Sequence, residues 1–160
     1  MRLKGIITED FINYKLPSLF LISSTCNWKC CIEQGRDISL CQNSPLAQQK
    51  TLDISPEKIY NIYTTNPITE AIVIGGLEPI DQIDEVIEII DFFRKNKEIS
   101  PFIIYTGYYP NEIQGEIQRL KNYNNITLKF GRYVPNAPHK YDDVLGVELA
   151  SDNQYAEVIS

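Results

Sequence analysis

Four short apolar runs, separated by stretches of helical periodicity, organise the chain. Leu16 to Ser23 (LPSLFLIS) reads as a strand that stops just before a group of cysteines. Ala71 to Gly76 (AIVIGG), Pro101 to Gly107 (PFIIYTG) and Ile126 to Tyr133 read as three more. Ser55 before Pro56 predicts a helix start, since a serine caps the first turn and proline lacks only an N–H that would go unpaired there; the helix runs to about Tyr63. Gln82 to Asn96 sets Ile83, Val86, Ile87, Ile90 and Phe93 on one helical stripe, and Asn111 to Tyr123 predicts a third helix. Apolar strands alternating with helices predict an α/β fold with a parallel sheet built from right-handed crossovers. No repeat, linker or low-complexity segment divides the chain, so residues 1–160 are expected to form one domain.

Such a sheet places its ligand beyond the carboxyl ends of the strands. The first strand runs into the cysteines, the second into Gly75-Gly76-Leu77-Glu78-Pro79, and the third into Thr106-Gly107-Tyr108. Three unusual loops are therefore expected at one edge.

Composition narrows the class. With 160 residues, 43% apolar and 22% charged, the chain is ordinary globular material, which excludes disordered and collagen-like classes. Fifteen basic against 21 acidic residues give a net charge of -6, which argues against nucleic acid as a broad surface partner. No apolar run is long enough to span a membrane, and the amino-terminal stretch lacks the apolar segment of a signal peptide, so a cytoplasmic location is expected.

All four cysteines, Cys26, Cys30, Cys31 and Cys41, fall in one window. A disulfide framework would spread bridges across the fold and need an oxidising compartment. Zinc would require all four thiols, because the one histidine, His139, is far away in sequence, and the adjacent Cys30 and Cys31 converge poorly on one ion. Three soft thiolates suit an iron–sulfur cluster, where a four-iron cube would keep one iron open. No serine or cysteine is set up with a histidine base, which excludes hydrolase triads.

Cys26-Asn27-Trp28-Lys29-Cys30, Cys41-Gln42-Asn43, GGLEP, the Thr106-Gly107-Tyr108 turn and a late Ser151-Asp152-Asn153-Gln154 occur in an order that resembles the radical S-adenosylmethionine (SAM) proteins. The nearest resemblance is to the activating proteins of anaerobic (class III) ribonucleoside-triphosphate reductases, and it covers the chain from about Phe11 onward. The family's second cysteine gap is two residues; here Cys41 follows Cys30 after ten, as though CIEQGRDISL were an eight-residue expansion of the loop.

The resemblance implies a partial, open (βα) barrel. It further implies that Cys26, Cys30 and Cys41 hold a [4Fe-4S] cluster, leaving Cys31 a bystander thiol. Gly75, Gly76, Glu78 and Pro79 would contact the methionyl amino group of SAM, and Thr106, Asn153 and Gln154 its remainder. No catalytic side chain is expected beyond the cluster and SAM site. The implied activity is reductive SAM cleavage coupled to formation of a glycyl radical on a partner enzyme, with a flavodoxin- or ferredoxin-type electron donor. The alternatives are a radical SAM enzyme with another protein or peptide substrate, a non-enzymatic iron–sulfur electron carrier, and a zinc-stabilised module. Lys29 and Arg36 are candidates for holding a carboxylate or are simply solvated; Trp28 shields the cluster or packs; His139 reads as an exposed loop residue.

Overall fold

The computed structural model describes all 160 residues. Its chain order is β1 (Arg2–Asp10), β2 (Ser18–Ser23), α1 (Lys29–Glu33), α2 (Ser44–Ala47), β3 (Leu52–Asp53), α3 (Pro56–Thr65), β4 (Ala71–Gly76), α4 (Ile83–Lys95), β5 (Phe102–Tyr105), α5 (Gln114–Leu120), β6 (Ile126–Phe130), β7 (Lys140–Asp142), β8 (Val147–Leu149) and β9 (Tyr155–Val158). Seven strands form one sheet in the order β3-β1-β2-β4-β5-β6-β9. The four strands expected from the sequence, β2, β4, β5 and β6, are its parallel centre.

The flanks differ from the expectation of a purely parallel sheet. β1 pairs antiparallel with β2, β3 antiparallel with β1, and β9 antiparallel with β6. β1 (RLKGIITED) mixes charge and glycine with its apolar residues and is mostly solvated, so it lacks the apolar run that betrays a buried strand. β7 and β8 form a separate two-stranded ribbon, too short for any periodicity to register.

Helix boundaries follow local chemistry. Ser55 accepts from the Lys58 N–H and Pro56 opens α3, as expected. The second predicted helix begins as a 3-10 turn at Pro79–Gln82 before α4 takes over, and the third is split between a 3-10 turn at Pro110–Glu112 and α5. In both cases a proline sets the tighter first turn.

The helices pack on one face of the sheet. Ile72 and Ile74 of β4, Phe102 and Ile104 of β5 and Leu128 of β6 meet Ile59 of α3 and Val86, Ile89, Ile90 and Phe93 of α4, all with no exposed surface. Phe93 is the hub, edge-on to Phe102 at 5.2 Å and to Tyr60 at 5.1 Å. The other face buries a smaller group, Tyr14, Ala71, Val73, Ile103, Leu145, Leu149 and Ala156. No helix covers it. Its remaining area, towards the carboxyl ends of the parallel strands, is an open cavity.

No helix is long and apolar enough to cross a membrane.

Candidate functional site: a cavity at the carboxyl ends of the parallel strands

A cavity of about 450 Å³ lies where the three loops converge, within the range of small-molecule sites. Cys26, Cys30, Cys31, Cys41, Gly75, Gly76, Glu78, Thr106 and Gln154 all line it. Two of the expected residues do not. Pro79 is buried as the first residue of its 3-10 turn, and Asn153 sits behind the wall, donating to the Arg132 carbonyl at 2.9 Å and the Tyr109 hydroxyl at 3.1 Å. A proline ring after an acid, and an amide before Gln154, serve here as braces.

The start of the cysteine loop, residues 24–27, is polar and is held by polar side chains. The Oε1 of Gln82 accepts from the backbone N–H groups of Ser24 (2.8 Å) and Thr25 (3.2 Å) and from both their hydroxyls, while its Nε2 donates to the Arg2 carbonyl at 3.0 Å. The Asn27 N–H donates to Asp81 at 2.7 Å, and Tyr108 donates its hydroxyl to the same carboxylate at 2.8 Å while accepting from the Asn27 amide. Trp28 adopts a left-handed backbone (φ 61°) that turns the chain into α1, with its own carbonyl accepting from Cys31 and Ile32. Asn43, just past Cys41, donates to the Gly76 carbonyl at 2.6 Å. Gly76 has φ 88° and no room for a side chain: a Cβ would fall 2.5 Å from Ile22. Only glycine fits that bend.

Glu78 is the buried acid of the site. Its Oε2 accepts from the Gly107 N–H at 2.9 Å and its Oε1 from the Ile80 N–H at 3.1 Å. Burial outweighs these bonds and pushes its carboxyl up to about 7. Lys129 lies on the same wall, in register with Tyr105, 6% exposed, and donates to a single acceptor, the Gly131 carbonyl at 3.1 Å. Burial lowers it to about 8, with the charges of Glu78 and Cys30 opposing that shift. The remaining N–H donors of its ammonium have no protein partner. Gln154, 4% exposed, donates to the same carbonyl at 3.2 Å, and its own Oε1 is a buried acceptor with nothing to accept.

Lys129 is the residue the sequence analysis missed. It sits inside Ile126–Phe130, where Thr127 and Lys129 alternate with Ile126, Leu128 and Phe130, and a lysine in such an alternation ordinarily lies on a solvated face. The available signal was position: a lysine at the carboxyl end of a central parallel strand faces whatever lies beyond that end. Lys29, one of the two cations singled out instead, is engaged elsewhere, with Glu112 at 2.6 Å. Arg36 lines the cavity and donates to Gln34 at 3.1 Å, with no acidic partner. His139 is exposed and bonded to Glu148 at 2.8 Å.

All four cysteines are free. Burial raises the Cys26 thiol to about 12 and raises Cys30 as well, so neither is a thiolate without an added positive charge. Cys31 is buried, and burial raises its thiol as well. No three acid, histidine or thiol side chains already stand as a cage for a metal ion. The donors therefore share one cavity wall without being closed around a common point.

No protein-family model, no curated protein and no solved structure matches this chain.

Proposed function

We propose that this chain is a radical SAM protein of the type that activates glycyl-radical enzymes, with an anaerobic ribonucleotide reductase as the partner. The observation that carries this reading is the meeting, on one cavity, of three spaced cysteines with the glycine–glycine–acid turn that follows the next parallel strand. The donor set fits: three half-buried thiols for a [4Fe-4S] cluster, a buried carboxylate and a buried ammonium for an amino acid's two charges, and an orphaned amide acceptor for a further donor. We read the four parallel strands as the wall of a partial, open barrel.

Cys26, Cys30 and Cys41 would hold the cluster, with Cys31 packed beside them. What such a cluster would supply, when reduced by a flavodoxin- or ferredoxin-type donor, is the electron that splits the carbon–sulfur bond of SAM. Glu78 would accept from the amino group of SAM, Lys129 would pair with its carboxylate, and Gln154 would accept a hydrogen bond from the nucleoside end. Gly75 and Gly76 let the backbone approach the ligand, and the Thr106 hydroxyl accepts from the Tyr108 N–H at 3.0 Å to fix the turn beside it. The sheet face without helices leaves room for a polypeptide loop to reach the ligand, which suits a protein substrate.

The test is anaerobic reconstitution with iron and sulfide. Wild type and Cys31→Ser are expected to take up iron and gain visible absorption, whereas Cys26→Ala, Cys30→Ala and Cys41→Ala lose both. Reduced protein with SAM should then yield deoxyadenosine, and a reductase partner should acquire the electron paramagnetic resonance doublet of a glycyl radical. Deoxyadenosine without that doublet refutes the activating role alone; no iron uptake refutes the whole reading.

A further inference from the structure

A group of four charges stands just behind the cavity, and the proposed chemistry does not use it. Arg132, at the end of the segment after β6, is 5% exposed. Its Nε and Nη2 donate to the two oxygens of Glu33 at 2.6 and 3.0 Å. Nη1 and Nη2 donate to the two oxygens of Glu112 at 2.7 Å each, and Nη1 donates again to the Gly107 carbonyl at 2.8 Å. All five guanidinium N–H groups are accounted for. Lys29 adds a second cation, 2.6 Å from Glu112 and 3.6 Å from Glu33, so two positive and two negative charges balance. The rings of Tyr109 and Tyr108 lie against the guanidinium, at 5.1 and 5.9 Å.

The network's position matters more than its strength. Lys29 and Glu33 are the first and last residues of α1, and Cys30 lies between them. Five residues cannot hold a helix unaided, and α1 has no side-chain cap at its start. Its two ends are instead fastened to Glu112, after β5, and Arg132, after β6. The third anchor of Arg132 is the carbonyl of Gly107, the residue against which the Cys30 sulfur packs. A Cβ on Gly107 would lie 2.9 Å from Cys30 Sγ. The same glycine gives its N–H to Glu78.

We propose that Arg132 is a positioning residue for Cys30: with Glu33 and Glu112 it clamps α1 against the ends of two parallel strands, so that this thiol is set before any metal arrives. The clamp takes over a task that a short cysteine spacing performs by covalent restraint. Between Cys30 and Cys41 the chain is too long to fix either thiol, and the guanidinium fork supplies the missing constraint. The inference rests on the proposed role of Cys30 as a ligand, but the placement of its thiol is measurable without any cluster.

The experiment is position-resolved alkylation of the full chain before iron loading, with iodoacetamide and peptide mass spectrometry. Glu33→Gln releases one end of the clamp at a half-exposed site and leaves the Arg132 charge in place; Arg132→Lys keeps the charge and removes the fork. Both variants are expected to alkylate Cys30 and Cys31, the two thiols of α1, at least about tenfold faster, the scale of one lost charge-assisted pair, while Cys26 and Cys41 hold their rates. Equal acceleration at all four thiols, or at none, overturns the proposal. Iron uptake by wild type is read on a separate, unalkylated portion of the same preparation: its absence refutes the ligand role of Cys30 and with it the positioning role, whereas uptake by wild type with unaltered alkylation in the variants refutes the clamp alone.

Discussion

Glu78 receives the backbone N–H of Gly107 at 2.9 Å, so the acid that follows one parallel strand is tied to the turn that follows the next. Burial raises this carboxyl from its ordinary value to about 7. The folded state thus binds the proton more tightly than the unfolded chain. Its contribution to stability is complete below the unfolded value of 4.5 and is lost as pH rises towards about 7. Glu78→Gln should flatten the stability curve across that window in urea titrations. The same variant should bind SAM about tenfold to a hundredfold more weakly, having lost a charge-assisted acceptor. Unchanged SAM affinity would refute the ammonium-binding role.

Lys129 offers a test that discriminates between ends of the ligand. Lys129→Met should weaken SAM binding by about one to two orders of magnitude, the value of a hydrogen bond to a charged group. Decarboxylated SAM should bind wild type and variant alike. If the variant still distinguishes the two ligands as wild type does, the carboxylate lies elsewhere.

Gly107 carries no side chain because Cys30 occupies that space. Gly107→Ala should lower stability by about 1–3 kcal/mol through overpacking, and should reduce iron retention by displacing the sulfur. Gly115→Ala is the control: nothing lies within 4 Å of its Cβ. In the first turn of α5 it should stabilise by about 0.4–1 kcal/mol, by restricting the unfolded chain, and leave iron unchanged. Equal iron loss in both would remove the steric argument.

The charged clamp predicts acid sensitivity. Hydrogen bonds from Arg132, aided by Lys29, hold the Glu112 carboxyl down to about 2, and Arg132 lowers Glu33 as well. Between their ordinary value near 4.5 and the folded value, the unfolded chain takes up protons that the folded one does not. Stability therefore falls as pH drops through that interval. Thermal melts of Glu112→Gln should show a shallower decline with acid than wild type; parallel curves would show that the clamp contributes nothing there.

The centre of the fold was legible because its physics is local. Runs such as AIVIGG and PFIIY have no solvated face, and a strand buried on both sides announces itself as continuous apolar sequence. Ser55-Pro56 specified a helix start by capping chemistry alone. The flanking strands were not legible because what makes them strands is a neighbour: Val158 is 66% exposed, and β9 takes its place through its ladder to β6 and the Ala156 N–H donating to Asp142 at 2.9 Å. The site divided in the same way. Glycine turns and thiols stand out in sequence by their identity, and they line the cavity. Lys129, Arg132 and Gln82 are ordinary polar residues in sequence, and only burial gives them a role.

Gln82 has a consequence in the time domain. Residues 24 and 25 belong to no strand or helix, yet their amide protons are bonded to a side-chain oxygen that is itself buried and anchored to β1. Hydrogen exchange from these two positions must wait for Gln82 to let go, and Gln82 is gripped from two sides of the sheet. The approach to the first cysteine will then exchange on the slow schedule of the sheet it leaves, while the longer stretch from Cys31 to Cys41 exchanges on that of a surface loop. One loop will keep two clocks, with the boundary between them at the first pair of thiols.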